Sequence, residues 1–164
     1  MKLEYDIARM QNMVTLNLAK NHIGDKGAQH IASMPNIAIL NLAKNHIANT
    51  GAELIAHMPN IKNLDLSENL IGNDGLSHFA FMEKMKELNL ANNQIDHQGA
   101  SHIARMPKVT YLNLAKNQIG DKGAKHISTM GLISLDLSEN AIGETGAGHL
   151  ASIQSLTTLN LSDN

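Results

Sequence analysis

The octapeptide LNLAKNHI stands at residues 16–23 and again at 40–47. Variants begin at Leu64 (LDLSENLI), Leu88 (LNLANNQI), Leu112 (LNLAKNQI) and Leu135 (LDLSENAI), and a partial copy, LNLSDN, begins at Leu159. Successive copies lie 24, 24, 24, 24, 23 and 24 residues apart. A fixed period in this range marks a stacked-repeat solenoid, in which each unit touches its neighbours and closes its core by stacking. One domain over 1–164 follows, with six repeats over 13–155 and a truncated last repeat over 156–164. IARMQNM at 7–13 matches IARMPKV at 103–109, so residues 1–12 read as the helical half of an incomplete first repeat.

Within each copy the Leu-x-Leu alternation has period two and reads as a short strand with both leucines on one face. All fourteen of these positions are leucine, and the residue three before the first is always apolar: Met13, Ile37, Ile61, Met85, Val109, Leu132 and Leu156. Burying one leucine is worth roughly 1.5–3 kcal/mol, largely offset by chain entropy, so a single unit cannot fold alone. Aromatic residues make up 2% of the chain, which leaves an aliphatic core and few aromatic anchors for any binding face.

The asparagine that follows each strand never varies: Asn21, Asn45, Asn69, Asn93, Asn117, Asn140 and Asn164. Backbone groups at an inner corner need partners, and an amide side chain supplies both a donor and an acceptor. The row reads as a structural ladder.

The following stretch, DKGAQHIASMP at 25–35, changes period, with Ala28, Ile31, Ala32 and Met34 at helical spacing. Asp25, with Asn49, Asn73 and Asp121 as counterparts, is expected to cap its own helix. Gly27, Gly51, Gly75, Gly99, Gly123 and Gly146 recur near the helix starts and imply close approach between coils. Pro35, Pro59 and Pro107 end their helices. Each unit is thus strand, turn, helix, turn.

The motif LxxLxLxxNxI followed by GxxGAxxIA resembles the leucine-rich repeat, and its helical return resembles the ribonuclease-inhibitor-like class. The 24-residue form, with Gly27-Ala28 and Ile31-Ala32 or Gly123-Ala124 and Ile127-Ser128, is similar to the GALA-type repeats of bacterial effectors. The resemblance implies an α/β leucine-rich repeat solenoid bent into an arc, with a parallel concave sheet of about seven strands and convex helices. It also implies a concave face that binds protein, and delivery into a host cytosol. Some such effectors add an F-box that recruits ubiquitin-ligase machinery; residues 1–12 are too few for one.

The copy from Leu64 to Glu87 departs most from the others. Leu76 replaces Ala, Phe79 replaces Ile or Leu, and Glu83 stands where three copies have Pro. Its helix is expected to run on through FAFMEKMKE at 79–87, with Phe79 in the core and Phe81 a partly covered surface residue. The copy from Leu112 is one residue short near Met130-Gly131, which implies a local kink.

Function is then left to outward strand positions. Between the leucines stand Asn17, Asn41, Asp65, Asn89, Asn113, Asp136 and Asn160, a small polar floor. Just before the first leucine the residue varies: Thr15, Ile39, Asn63, Glu87, Tyr111, Ser134 and Thr158. Binding energy concentrates in a few large residues. Ile39, Glu87 and Tyr111 therefore lead the candidate partner contacts, with Asn63, Asp65, Asn89 and Asn113 beside them. The position before the ladder asparagine carries Lys20, Lys44, Glu68, Asn92, Lys116, Glu139 and Asp163, positive early and negative late. Such polarity orients a partner, and it adds Lys44, Glu68 and Lys116 to the candidates.

Nine histidines raise a metal hypothesis. Five share one position on the helical side: His30, His78, His102, His126 and His149. Packed helices lie about 8–10 Å apart, whereas zinc ligands converge to about 2 Å from one ion, so the row reads as surface histidines. The same spacing argument applies to His22 and His46. No metal and no cofactor is expected.

The net charge of −2 argues against nucleic acid and against an anionic membrane surface as partners. No apolar run is long enough to span a bilayer, and MKLEYDIARM lacks the apolar stretch of a signal peptide. The absence of cysteine suits a cytoplasmic setting. No HExxH, GxSxG or GxxxxGK motif occurs, so no residue is assigned to catalysis. The leading reading is a protein-binding scaffold, a bacterial effector or effector fragment acting in a host cytosol. Its partner is a host or bacterial protein, in sharper form an enzyme that it blocks. The alternative is a self-assembling module, because the last coil leaves apolar surface and a strand edge open at Asn164. A third reading is the substrate-recognition arm of a ubiquitin-ligase-type effector.

Overall fold

The computed structural model describes residues 10–164, so most of the half-repeat expected at 1–12 lies outside the described residues. Seven strands run parallel in sequence order: β1 (Thr15–Asn17), β2 (Ile39–Asn41), β3 (Asn63–Asp65), β4 (Glu87–Asn89), β5 (Tyr111–Asn113), β6 (Ser134–Asp136) and β7 (Thr158–Asn160). Among the described residues five α-helices make the return: α1 (Gly24–Ala32), α2 (Asn49–Ala56), α3 (His97–Ile103), α4 (Gly120–Ile127) and α5 (Glu144–Leu150). Register follows the repeat, with Leu16, Leu40, Leu64, Leu88, Leu112, Leu135 and Leu159 paired strand to strand. The short repeat keeps this pairing, Tyr111 opposite Ser134, so the missing residue is absorbed in the loop before β6.

Twelve of the fourteen strand leucines are buried, and the same core takes in Ile23, Ile47, Ile71, Ile95, Ile119 and Ile142 from the corners. Leu159, on β7, is exposed and Leu161 half-buried.

The asparagine ladder ties each coil to the one before it. Asn69 Oδ1 accepts from the backbone N–H of Asn45 (3.0 Å) and Ile47 (2.9 Å). Its Nδ2 donates to the carbonyls of Leu42 (3.0 Å), Leu66 (3.0 Å) and Ser67 (3.1 Å). Asn45, Asn93, Asn117, Asn140 and Asn164 likewise donate to the leucine carbonyl of the preceding coil. Among the described residues Asn21 Oδ1 accepts from no earlier coil, and its own N–H donates to Asn45 Oδ1 (3.1 Å).

The expected helix caps are corrected. Asp25 lies inside α1, whose N-cap is Ile23 with no side-chain bond. Asp25 Oδ1 instead accepts from Ala48 N–H at the entry to α2 (2.8 Å). Asn49 does the same for Gly72 (2.7 Å), Asn73 for Asp96 and Gly99 (both 3.0 Å), and Asp121 for Gly143 (2.7 Å) and Gly146 (3.0 Å). These residues cap the coil after their own. The free N–H groups of a helix start are presented to the neighbouring coil, within reach of a side chain there. Asp96, not anticipated in this role, caps its own helix through Gln98 N–H (2.7 Å). Partial burial pushes the Asp96 carboxyl up, but bonds from Gln98, Asn73 and Gly99 and the nearby His97 outweigh it and hold the group below its ordinary value.

The same arrangement explains the repeated glycine. A Cβ on Gly99 would meet Asn73 Oδ1 at 2.6 Å and Ile95 Cγ2 at 2.6 Å, and that oxygen is already bound to two N–H groups. Gly148, inside α5, has open space around it. Gly→Ala in a helix ordinarily gains about 1 kcal/mol, whereas overpacking costs about 1–3 kcal/mol. The two substitutions therefore take opposite signs. Gly148→Ala raises the urea midpoint and Gly99→Ala lowers it; a gain at Gly99 would contradict the close approach.

The third repeat forms no α-helix. It has two 3₁₀ turns, Asp74–Leu76 and Phe79–Phe81, so the extended helix through 79–87 is corrected. Leu76 and Phe79 are both fully buried and occupy positions where the helical repeats carry Ala and Ile or Leu. A larger pair needs more room beneath the backbone than one regular helix leaves. Phe81 is 73% exposed, more open than the partly covered position expected of it.

Candidate functional site

The variable row before the first leucine becomes a line across the sheet. Ile39 pairs with Asn63, Asn63 with Glu87, Glu87 with Tyr111, and Tyr111 with Ser134. With the next outward row they line a groove of about 450 Å³, which holds Ile39, Asn63, Asp65, Glu87, Asn89, Tyr111 and Asn113. Ile39 and Tyr111 keep 45% and 46% of their surface exposed at its two sides, and Glu87 stands exposed between them. Seven of the ten candidate residues are thus brought together.

Asp65, Asn89 and Asn113 have a second duty. Along that row each Oδ1 accepts from the N–H two residues on: Asp65 from Ser67 (2.9 Å), Asn89 from Ala91 (3.1 Å), Asn113 from Ala115 (2.9 Å). These bonds shape the turn that leaves the strand. Where the row carries Asp two residues before Ser, the Ser hydroxyl adds a bond to the same oxygen, Ser67 to Asp65 at 2.6 Å and Ser138 to Asp136 at 2.7 Å. The signal was present in the sequence, since Asp occurs only in the LDLS copies and every LxLA copy carries Asn.

Lys44, Glu68 and Lys116 do not reach the groove. Their row sits at a turn in which Lys20, Lys44, Glu68, Asn92, Lys116, Glu139 and Asp163 all have φ between 52° and 60°. The charges expected to polarise the face pair laterally instead, Lys44 with Glu68 at 3.2 Å and Lys116 with Glu139 at 3.3 Å. Adjacent coils bring them within reach, and neutralised pairs at an exposed edge contribute little energy.

The spacing argument needs correction for one histidine pair. His22 and His46 lie beside the strands, where coils are closest, and their ring centres are 5.0 Å apart with Nδ1 atoms at 3.2 Å. Among the described residues no group of three or more His, Asp or Glu is placed to hold a metal ion. On the convex side the His78 ring lies tilted at 38° to both His57 (ring centres 5.3 Å apart) and Phe81 (6.2 Å). No helix of the described residues is long and apolar enough to cross a membrane.

In-register parallel strands, a returning helix or turn behind each, and an asparagine at every corner define a solenoid scaffold that presents an open sheet. Two family models for the leucine-rich repeat match it, one over residues 59–119 and the other over 9–32, 33–56 and 132–151. The chain is a leucine-rich repeat protein. Among solved structures it is similar to the crystal structure of an internalin from Listeria monocytogenes, with a TM-score of 0.66 and 21% identity. That match covers 96% of this chain and 50% of the other, so this chain spans about half the internalin's length and the likeness concerns the fold. No curated protein matches the sequence.

Proposed function

We propose that the chain is a non-catalytic scaffold whose protein partner lies across the concave sheet, anchored on Ile39, Glu87 and Tyr111. One observation carries this reading. Nearly every repeated position is consumed by core, ladder or cap, whereas these three side chains vary and stand exposed in one register row of the sheet, Glu87 directly opposite Tyr111 and Ile39 one strand further on beyond Asn63. Large exposed side chains around a central charge are the usual makings of a hot spot. Within this reading the protein acts as a bacterial effector or effector fragment, and its partner is an enzyme that it inhibits or regulates. The similarity of its repeats to GALA-type and ribonuclease-inhibitor-like repeats supports that finer statement.

The test is capture from host-cell and bacterial lysates by wild type and by Glu87→Lys/Tyr111→Ala, with mass spectrometry as readout and matched melting curves as the check on folding. Two hot-spot changes of about 2 kcal/mol each reduce retention well over tenfold. A partner held equally by both forms would move the site off the concave face. Turnover of substrate by the purified chain would overturn the non-catalytic reading.

A further inference from the structure

Beside the concave groove, on the edge where the chain enters the strands, lies a block of positive charge with no acidic partner among the described residues. Lys62 and Lys86 occupy the same repeat position on adjacent coils, and their backbones are joined by the Lys86 N–H to Lys62 carbonyl bond at 2.8 Å. Lys84 and Lys108 occupy another shared position, two residues before Lys86 and Thr110. All four side chains are exposed. Lys44 and Lys116, on the opposite edge of the strands, each find a glutamate on the next coil. Among the described residues none of these four has a carboxylate within 4.0 Å, although Glu83 and Glu87 are sequence neighbours.

The surroundings are built. Lys84 Nζ donates to Asn60 Oδ1 at 2.6 Å, and Asn60 Nδ2 donates in turn to the Pro35 carbonyl at 2.8 Å. Asn36 repeats that bond to the Gln11 carbonyl at 2.8 Å. Lys62 and Lys84 thereby flank a second groove, of about 660 Å³, lined also by Asn36, Asn60 and the apolar Val14 and Ala38, with no acidic residue in its wall among the described residues.

We propose that this edge binds an acidic, extended peptide segment, a run of Asp or Glu belonging to the protein held on the concave face. Charge complementarity carries the choice. Like charges gathered on one edge repel one another, and an anionic occupant removes that cost. Lysines on flexible stems accept carboxylates at uneven spacing. A nucleic acid fits less well, because the groove has no aromatic residue for base stacking among the described residues and the whole chain is net negative. A membrane fits less well, because among the described residues of the groove wall Val14 alone is a large exposed hydrophobic side chain, too little for insertion. Continuity supports the source. Lys62 precedes Asn63, and Lys86 precedes Glu87, so a segment leaving the concave row passes directly over the block.

The source of the peptide rests on the concave-face reading; the binding test does not. The probe is fluorescein-labelled octaglutamate, followed by anisotropy on the full chain. Expected is saturable binding that weakens about tenfold between roughly 50 and 200 mM salt. Lys62→Glu/Lys84→Glu weakens it at least tenfold. Lys20→Glu/Lys122→Glu, an equal charge change elsewhere, leaves it within about twofold, as expected for screened distant charges. Circular dichroism melts confirm that both variants fold. No binding by wild type, or equal loss in both variants, would overturn the proposal. So would tighter binding of a uridine oligomer or of phosphatidylserine vesicles than of the peptide. Lysate capture that depends on Glu87 and Tyr111 while octaglutamate fails to bind would sink this inference and leave the concave reading standing.

Discussion

Asn69→Ala is expected to lower the unfolding free energy by about 4 kcal/mol, since each buried polar group left without a partner costs about 1–3 kcal/mol. The amide is 6% exposed and is shared among two N–H donors and three carbonyls on two coils. Alanine orphans the N–H groups of Asn45 and Ile47 and the Leu42 carbonyl, and water has no path to replace the amide. Asn69→Asp sharpens the test. It keeps an acceptor for the two N–H groups but sets a carboxylate against three carbonyl oxygens. At neutral pH it costs at least as much as alanine, and part of the loss returns as pH falls and the protonated acid donates one bond. Asn21→Ala is the control, because Asn21 is exposed and its Oδ1 serves no earlier coil among the described residues. Urea unfolding monitored by two spectroscopic probes measures all three; a loss at Asn69 no greater than at Asn21 would refute the account.

Phe79→Ala is the second large effect, about 3–5 kcal/mol as for other buried phenylalanines. Phe79, the first residue of the second 3₁₀ turn, is fully buried in the same core as Leu76. Where the other repeats have a helix to cover the core, this one has short turns and relies on side-chain bulk. Truncation therefore opens a cavity that no adjacent helix can close. Phe79→Ile restores the residue of the regular repeats and costs about 1–2 kcal/mol, since only part of the volume is lost. Hydrogen exchange localises the effect, with amides of the third repeat and its neighbours exchanging faster in Phe79→Ala than those near α5. Uniform acceleration along the chain would contradict it.

Much of the scaffold was legible because a repeat states each requirement several times. The leucine pairs, the corner isoleucines and the asparagine row show their roles by recurring at one phase, and the structure places them in the core and the ladder. The outward row of Ile39, Glu87 and Tyr111 was legible for the opposite reason, as variation within constancy. The third repeat was misread because Leu76 and Phe79 keep a helical spacing, and spacing does not report whether a helix has room to lie on the core.

What the sequence determined by itself is the number of coils, their order, and which residues face inward, since these depend on periodicity over a few residues and on its return every 24. What the tertiary structure decided are relations between coils. Asp25 and Asn73 serve the coil after their own, Lys44 and Lys116 are neutralised by Glu68 and Glu139, His22 meets His46, and Lys62, Lys84, Lys86 and Lys108 are left without carboxylates among the described residues. Each turns on distances of a few ångströms between residues some 24 positions apart, and such distances exist only once the coils have stacked.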